Sequence, residues 1–282
     1  MTKFPTTWTL LLLAFLCTVP SDSVSAGSHD VIVFVQGTPY PKANRHILVR
    51  YAWPVVQALE NSGLSFELTM FPITADTSTS SSFFSTGFDK TLAGRKRLAT
   101  DMKRFRDLGK ALDGIYGNGE SVLVDLLGSV FVVDEALGLA SKEELSMMDR
   151  VRGFRKRTFL IYISDMVQRS GFDGFDFTPY GDGRSLEECI EKAPALYGDQ
   201  VHFHSEFKDL EILFVRLDLR RLHQEVELPA PPDPGKMDHI IGFWREDFFH
   251  GIFGVAPHRL SVSRDKDPAK DLKDFFSGGS GQ

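Results

Sequence analysis

Cysteine is nearly missing from this sequence of 282 residues: only Cys17 and Cys189 occur. If the first 26 residues are removed on export, as argued below, Cys189 stands alone and no intramolecular disulfide can form. The fold then holds by packing and hydrogen bonds, even in an oxidising compartment. A lone thiol could join two chains, but an inert, half-buried cysteine is the ordinary outcome. Positive charge is also short. The formal net charge is −6, so the chain as a whole has no pull toward nucleic acid or anionic lipid. Catalytic signatures are missing where they would be read. There is no G-x-S-x-G elbow, no H-E-x-x-H, no G-x-x-x-x-G-K-[ST] phosphate loop and no G-x-G-x-x-G after the first strand. The first strand also lacks the paired aspartates of an aspartyl-phosphate hydrolase at its end.

A membrane-spanning run is missing too. Trp8 to Val19 is apolar but falls short of the ~20 residues needed to cross a bilayer. Lys3 before it and Val24-Ser25-Ala26 after it make the pattern of a secretory signal peptide over residues 1–26. Ala14-Phe15-Leu16 lacks the small residues that a lipoprotein signal places before its cysteine. The expectation is an exported protein, periplasmic or secreted, with no membrane anchor after cleavage. Retention of the segment as an anchor is the alternative.

What is present reads as strands alternating with helices. Asp30 to Val35 is a continuous apolar strand, followed by a helix over Ala43 to Asn61 that Pro54 should kink or restart. Phe66 to Ile73 is a second strand, and the Ser/Thr-rich stretch Thr74 to Gly87 reads as a long surface loop. Phe83, Phe84 and Phe88 lie in or beside it, either packed back onto the domain or exposed to a partner. Lys90 to Leu112 carries Leu98, Met102, Phe105, Leu108 and Leu112 at spacings of three and four, an amphipathic helix with a basic opposite face. That face reads as a docking surface or simply as a solvated one. Ser121 to Leu139 is apolar nearly all round and predicts a buried helix, and Lys142 to Arg155 a more polar one. Thr158 to Ile163 and Leu210 to Leu217 are further strands; Lys236 to Phe253 is the last helix and His258 to Val262 an edge strand. Residues 263–282 read as a disordered tail. The pattern predicts one α/β domain over residues 27–262, a doubly wound, mostly parallel sheet flanked by helices in three layers.

In such a sheet the functional site lies beyond the carboxyl ends of the strands, which brings the Gln36 and Asp165 corners together. Four features carry a resemblance. They are the strand through Val35, the segment Asp125-Leu126-Leu127, the run Leu160 to Met166, and Phe243-Trp244-Arg245-Glu246-Asp247-Phe248-Phe249. On these the chain resembles von Willebrand factor type A (vWA-like) domains of the divergent bacterial kind. The resemblance implies a divalent-cation adhesion site built from D-x-S-x-S after the first strand, a later Thr, and an Asp after the fourth strand. Here those positions carry Gln36, Thr38 and Tyr40, then Ser121 or Val124, and finally Asp165. One of two strong charges is gone, and Mg²⁺ gives up its water reluctantly. The site is thus expected to be a degenerate one, with Thr38 and Asp165 as weak candidates for Mg²⁺ or Ca²⁺ and no other cofactor. Asp165 otherwise caps a following turn or bonds the Thr38 hydroxyl.

Fainter arrangements are a calcium-like loop from Asp176 to Glu187, and His202 with His204, which would share one face of an extended segment. Together these readings predict a non-enzymatic protein-interaction module docking through Gln36, Thr38, Tyr40, Ser121 and Asp165. An envelope assembly that uses the 74–88 loop as its contact is a variant of that reading. The alternative from another class is a secreted hydrolase on the same scaffold with Asp165 as its catalytic carboxylate.

Overall fold

The computed structural model describes residues 28–37, 41–88, 94–114, 124–142, 156–169, 174–177, 185–217, 234–263 and 268–277. Six strands form one sheet: β1 (His29–Gln36), β2 (Phe66–Ile73), β3 (Phe84–Phe88), β4 (Thr158–Ser164), β5 (Glu211–Arg216) and β6 (Leu260–Ser263). Their order is β3-β2-β1-β4-β5-β6. All neighbours run parallel except β3, which is antiparallel to β2. From β1 the chain moves outward to one side, and from β4 to the other. The β1–β4 seam is therefore where the winding reverses, and parallel register along it sets Val31 beside Phe159 and Val35 beside Ile163.

Alternation along the strands explains the three layers. Ile32, Phe34, Leu160, Tyr162, Ile212 and Phe214 point to one face and join a core with helices α3 (Ser129–Lys142), α4 (Leu186–Ala193) and α6 (Pro234–Gly242). Short helix α5 (His204–Phe207) seats Phe207 in the same core. Val31, Val33, Val35, Phe159, Ile161 and Ile163 point to the other face, against α1 (Pro41–Asn61), α2 (Gly94–Gly114) and α7 (Ala269–Phe276). Both faces are covered, which is why these strands read as unbroken apolar runs. Two helices loosen into wider π turns at their ends: α4 over Pro194–Gly198, and α6 over Phe243–His250. The thiol of Cys189 is buried on α4.

Several expectations are corrected. Pro54 does not restart the first helix; α1 continues through it. Leu48, Tyr51, Ala52, Val55, Val56 and Leu59 are buried on either side of it, and this packing outweighs the lost backbone donor. Residues 74–87 are not one surface loop. A short turn at Thr77–Thr79 precedes β3, whose Phe84 and Phe88 are buried, while Phe83 packs on the core from the edge. These rings therefore do not form an exposed contact for a partner. The buried helix begins at Ser129, not at 121, because Asp125 and Gly128 hold the preceding segment in a turn. The presumed tail contains α7, with Leu272 and Phe276 buried. The expected helix over 142–155 lies beyond Lys142 outside the described residues, as does most of the Gly- and Asp-rich stretch 171–185.

Helix α2 is amphipathic, but not as its spacing suggests. Leu108 and Leu112 are buried, while Leu98 is 62% exposed, Met102 60% and Phe105 47%. In the first half of α2 the inward positions are Arg97, Thr100, Asp101 and Arg104. They line a cleft of about 190 Å³ against Leu59, Glu60 and Phe88. Polar groups take the inward line, so the apolar ones three and four apart turn outward.

Candidate functional site

β1 ends at Gln36 and β4 at Ser164, side by side at the carboxyl rim of the sheet. Gln36 is buried, and its Oε1 accepts from the Ser164 hydroxyl at 2.7 Å and from the Asp165 N–H at 2.8 Å. Ser164 Oγ in turn accepts the Met166 N–H at 2.9 Å. Asp165 Oδ1 accepts the Val167 N–H at 3.0 Å, and its Oδ2 meets the Arg169 guanidinium at 2.6 Å. The turn passes through Met166 with a φ of 68°, a left-handed conformation that costs a side-chain-bearing residue energy. Trp244 secures it by donating from its ring nitrogen to the Met166 carbonyl at 3.0 Å.

A second layer of buried polar groups lies behind this turn. Asp125 Oδ2 accepts the Thr77 N–H at 3.0 Å, and Oδ1 accepts the Gly128 N–H at 2.9 Å and the Gln168 amide at 3.1 Å. Gln168 Oε1 accepts from the backbone of Leu126 at 2.7 Å and of Leu127 at 3.1 Å. Arg169 and Val124 exchange both backbone bonds at 2.8 Å. At the base, the Ser129 hydroxyl lies 2.7 Å from the Tyr162 phenol. Burial holds that phenol well above its ordinary range; the Ser129 bond opposes the rise and the Asp125 charge adds to it.

Of the residues singled out in the sequence, the structure brings Gln36 and Asp165 into contact. Thr38, Tyr40 and Ser121 lie outside the described residues. Val124, the other candidate for the Thr position, is a buried bridge residue with no oxygen on its side chain. Asp165 caps the turn that follows it. Sequence reasoning missed Arg169 and Gln168. A charge pair four residues apart signals contact on a helix, and this segment is instead a turn through Met166.

A divalent cation at this corner would need several oxygens with open lone pairs. The described residues do not fit one. Gln36 Oε1 already accepts two hydrogen bonds, and Asp165 is neutralised by a guanidinium. Among the described residues no three His, Cys, Asp or Glu side chains converge as metal ligands. His202 and His204 do not act together, because His204 opens α5 instead of continuing an extended segment. His202 Nδ1 lies 3.2 Å from Asp134 Oδ2, and His204 Nε2 lies 2.6 Å from the Ile252 carbonyl. Residues 178–184 of the calcium-like loop lie outside the described residues.

No family model matches this chain, and no curated protein matches it. Similar solved structures include a von Willebrand factor type A protein from Catenulispora acidiphila. It is 9% identical, with a TM-score of 0.42, over 89% of this chain and 42% of that one. Another is the open conformation of the pilus adhesin SpaC from Lactobacillus rhamnosus GG. It is 10% identical, with a TM-score of 0.45, over 89% of this chain and 30% of that one. This chain thus spans less than half the length of either neighbour.

Proposed function

We propose that the chain is an exported, non-enzymatic protein-docking module of vWA-like architecture whose carboxyl rim works without a metal ion. One observation carries the reading: the sole carboxylate expected to remain at the adhesion corner, Asp165, is bonded to Arg169 at 2.6 Å. A hydrogen-bonded amide, Gln36, bridges the two strand ends in place of the other carboxylate. The rim keeps its shape by these bonds, so a partner would meet a surface formed in advance, with loop residues such as Thr38, Tyr40 and Ser121 as its contacts. A cell-envelope assembly is the setting this reading favours. The hydrolase reading is weaker, since both Asp165 oxygens are engaged and the neighbouring ionisable group is a guanidinium, which does not exchange protons near neutrality.

Calorimetry of the whole chain with Mg²⁺, Mn²⁺ and Ca²⁺ tests the metal-free rim, with no stoichiometric heat expected. A one-to-one signal that disappears in Asp165→Ala would overturn it. Docking is tested by cross-linking in envelope extracts with the native chain and a Thr38→Arg variant. A partner lost in the variant supports the rim, whereas one retained undiminished places the contact elsewhere.

A further inference from the structure

Helix α2 carries most of the large apolar side chains that are exposed among the described residues. The large apolar residues that are exposed among the described ones are Leu64, Leu98, Met102, Phe105 and Ile190. Three of these five fall on α2, at positions i, i+4 and i+7. At ~100° per residue they share an arc of about 60°. Phe105 is held upright by Trp53 of α1, edge to face at 4.9 Å. The next sector of the helix carries Arg106, Lys110 and Lys103, all exposed, and exposed Arg50 stands one turn before Trp53 on α1. Three exposed cations of α2 thus stand against one exposed anion, Asp113, among its described side chains, in a chain whose net charge is −6.

We infer that α2 is a peripheral membrane-docking face, setting Leu98, Met102 and Phe105 into the headgroup boundary of an anionic lipid bilayer while the flanking basic side chains meet lipid phosphates. An apolar stripe bordered by Lys and Arg on a helix lying in the interface plane is the pattern such binding requires. A second copy is disfavoured, because two such faces would bring like charges together. A folded protein partner needs about 800 Å² from each side, and three half-exposed side chains offer on the order of 300 Å². A bilayer needs no matching shape and gains from each added cation. The inference is independent of the rim: it assigns a different surface and a different class of partner.

Flotation of the full chain with vesicles tests it. At low ionic strength the chain should float with phosphatidylcholine vesicles containing phosphatidylglycerol far better than with phosphatidylcholine alone, and salt should weaken the association. The double variant Leu98→Gln/Met102→Gln and the double variant Arg106→Glu/Lys110→Glu should each reduce flotation by about tenfold or more. All four positions are solvent-exposed, and unchanged thermal melting would verify that the variants fold. Flotation that ignores lipid charge and both double variants would overturn the inference, placing any lipid contact elsewhere, such as residues 8–19. Absence of flotation would overturn it as well. So would either a dimer or binding to a poly-glutamate peptide that these variants abolish while lipid is ignored. None of these outcomes touches the calorimetry at Asp165.

Discussion

Gln36 Oε1 and the Ser164 hydroxyl meet at 2.7 Å although 128 positions separate them in sequence. The same oxygen accepts the Asp165 N–H, so one amide joins the ends of the two central strands. Replacing Gln36 by Ala leaves two buried donors without an acceptor, at about 1–3 kcal/mol each. Gln36→Ala is therefore expected to lower stability by about 3 kcal/mol in urea melts, shifting the midpoint with little change in slope. A change below about 0.5 kcal/mol would show that water replaces the amide and that the bridge is not structural.

Asp165 and Arg169 form a pair that is only slightly open to solvent, with side chains 12% and 11% exposed. Removing one partner leaves the other charge poorly hydrated, a larger loss than exposed pairs give. Arg169→Ala is expected to cost about 2 kcal/mol, and Asp165→Asn/Arg169→Ala less than the two single changes added together. A double-mutant cycle with no coupling would mean that the pair contributes nothing to the rim.

The parts of this fold legible in the sequence are those set by local pattern. Strands β1, β4 and β5 are apolar along their centres because both faces are covered, and parallel-sheet geometry alone brings Gln36 toward Asp165. What was hidden depends on distant partners. Phe84 to Phe88 is short, contains Gly87, and becomes a strand because β2 offers an edge. The start of α3 is displaced by Asp125, whose carboxylate reaches back to Thr77. Leu98 and Met102 look like core until Arg97, Asp101 and Arg104 are seen to take the inward line. Arg169 and Gln168 carried no signal, since nothing in an irregular turn marks which side chain will fold back on the rim.

The C-terminal helix α7 looks dispensable in sequence and is not. Phe276 packs against Phe66 at 5.6 Å and Phe159 at 5.4 Å, and Phe275 meets Phe159 at 5.4 Å. Leu272 is fully buried in the same core. Leu272→Ala is expected to cost about 2–4 kcal/mol, within the range for buried leucines. Lys273→Ala, on the exposed side, should change stability by less than about 0.5 kcal/mol. If both variants melt alike, α7 does not contribute to the core.

The cleft between α1 and α2 should make stability depend on pH near neutrality. Glu60 lies 3.0 Å from Arg104, which also reaches the Gly87 carbonyl and stacks over Phe88 at 4.2 Å. Arg97 donates to the Glu60 carbonyl at 3.0 Å and to Asn61 at 2.9 Å. The Glu60 carboxyl is pushed up from 4.5 to about 7, first by burial and then by a hydrogen bond with Asp101, with Arg104 opposing both. The folded protein therefore holds a proton on Glu60 where the unfolded chain has lost it. The resulting stabilisation is complete below the unfolded value, and it disappears as pH rises through about 7. In Glu60→Gln the amide stays neutral at every pH, so this share of the slope should vanish. Melting temperatures of the native chain and the variant between about pH 5 and pH 9 give the comparison, other carboxylates cancelling between them. The native chain should lose stability relative to the variant as pH rises through neutrality. A difference that stays constant, or grows in the opposite direction, would show that Glu60 is ionised throughout and paired with Arg104 alone.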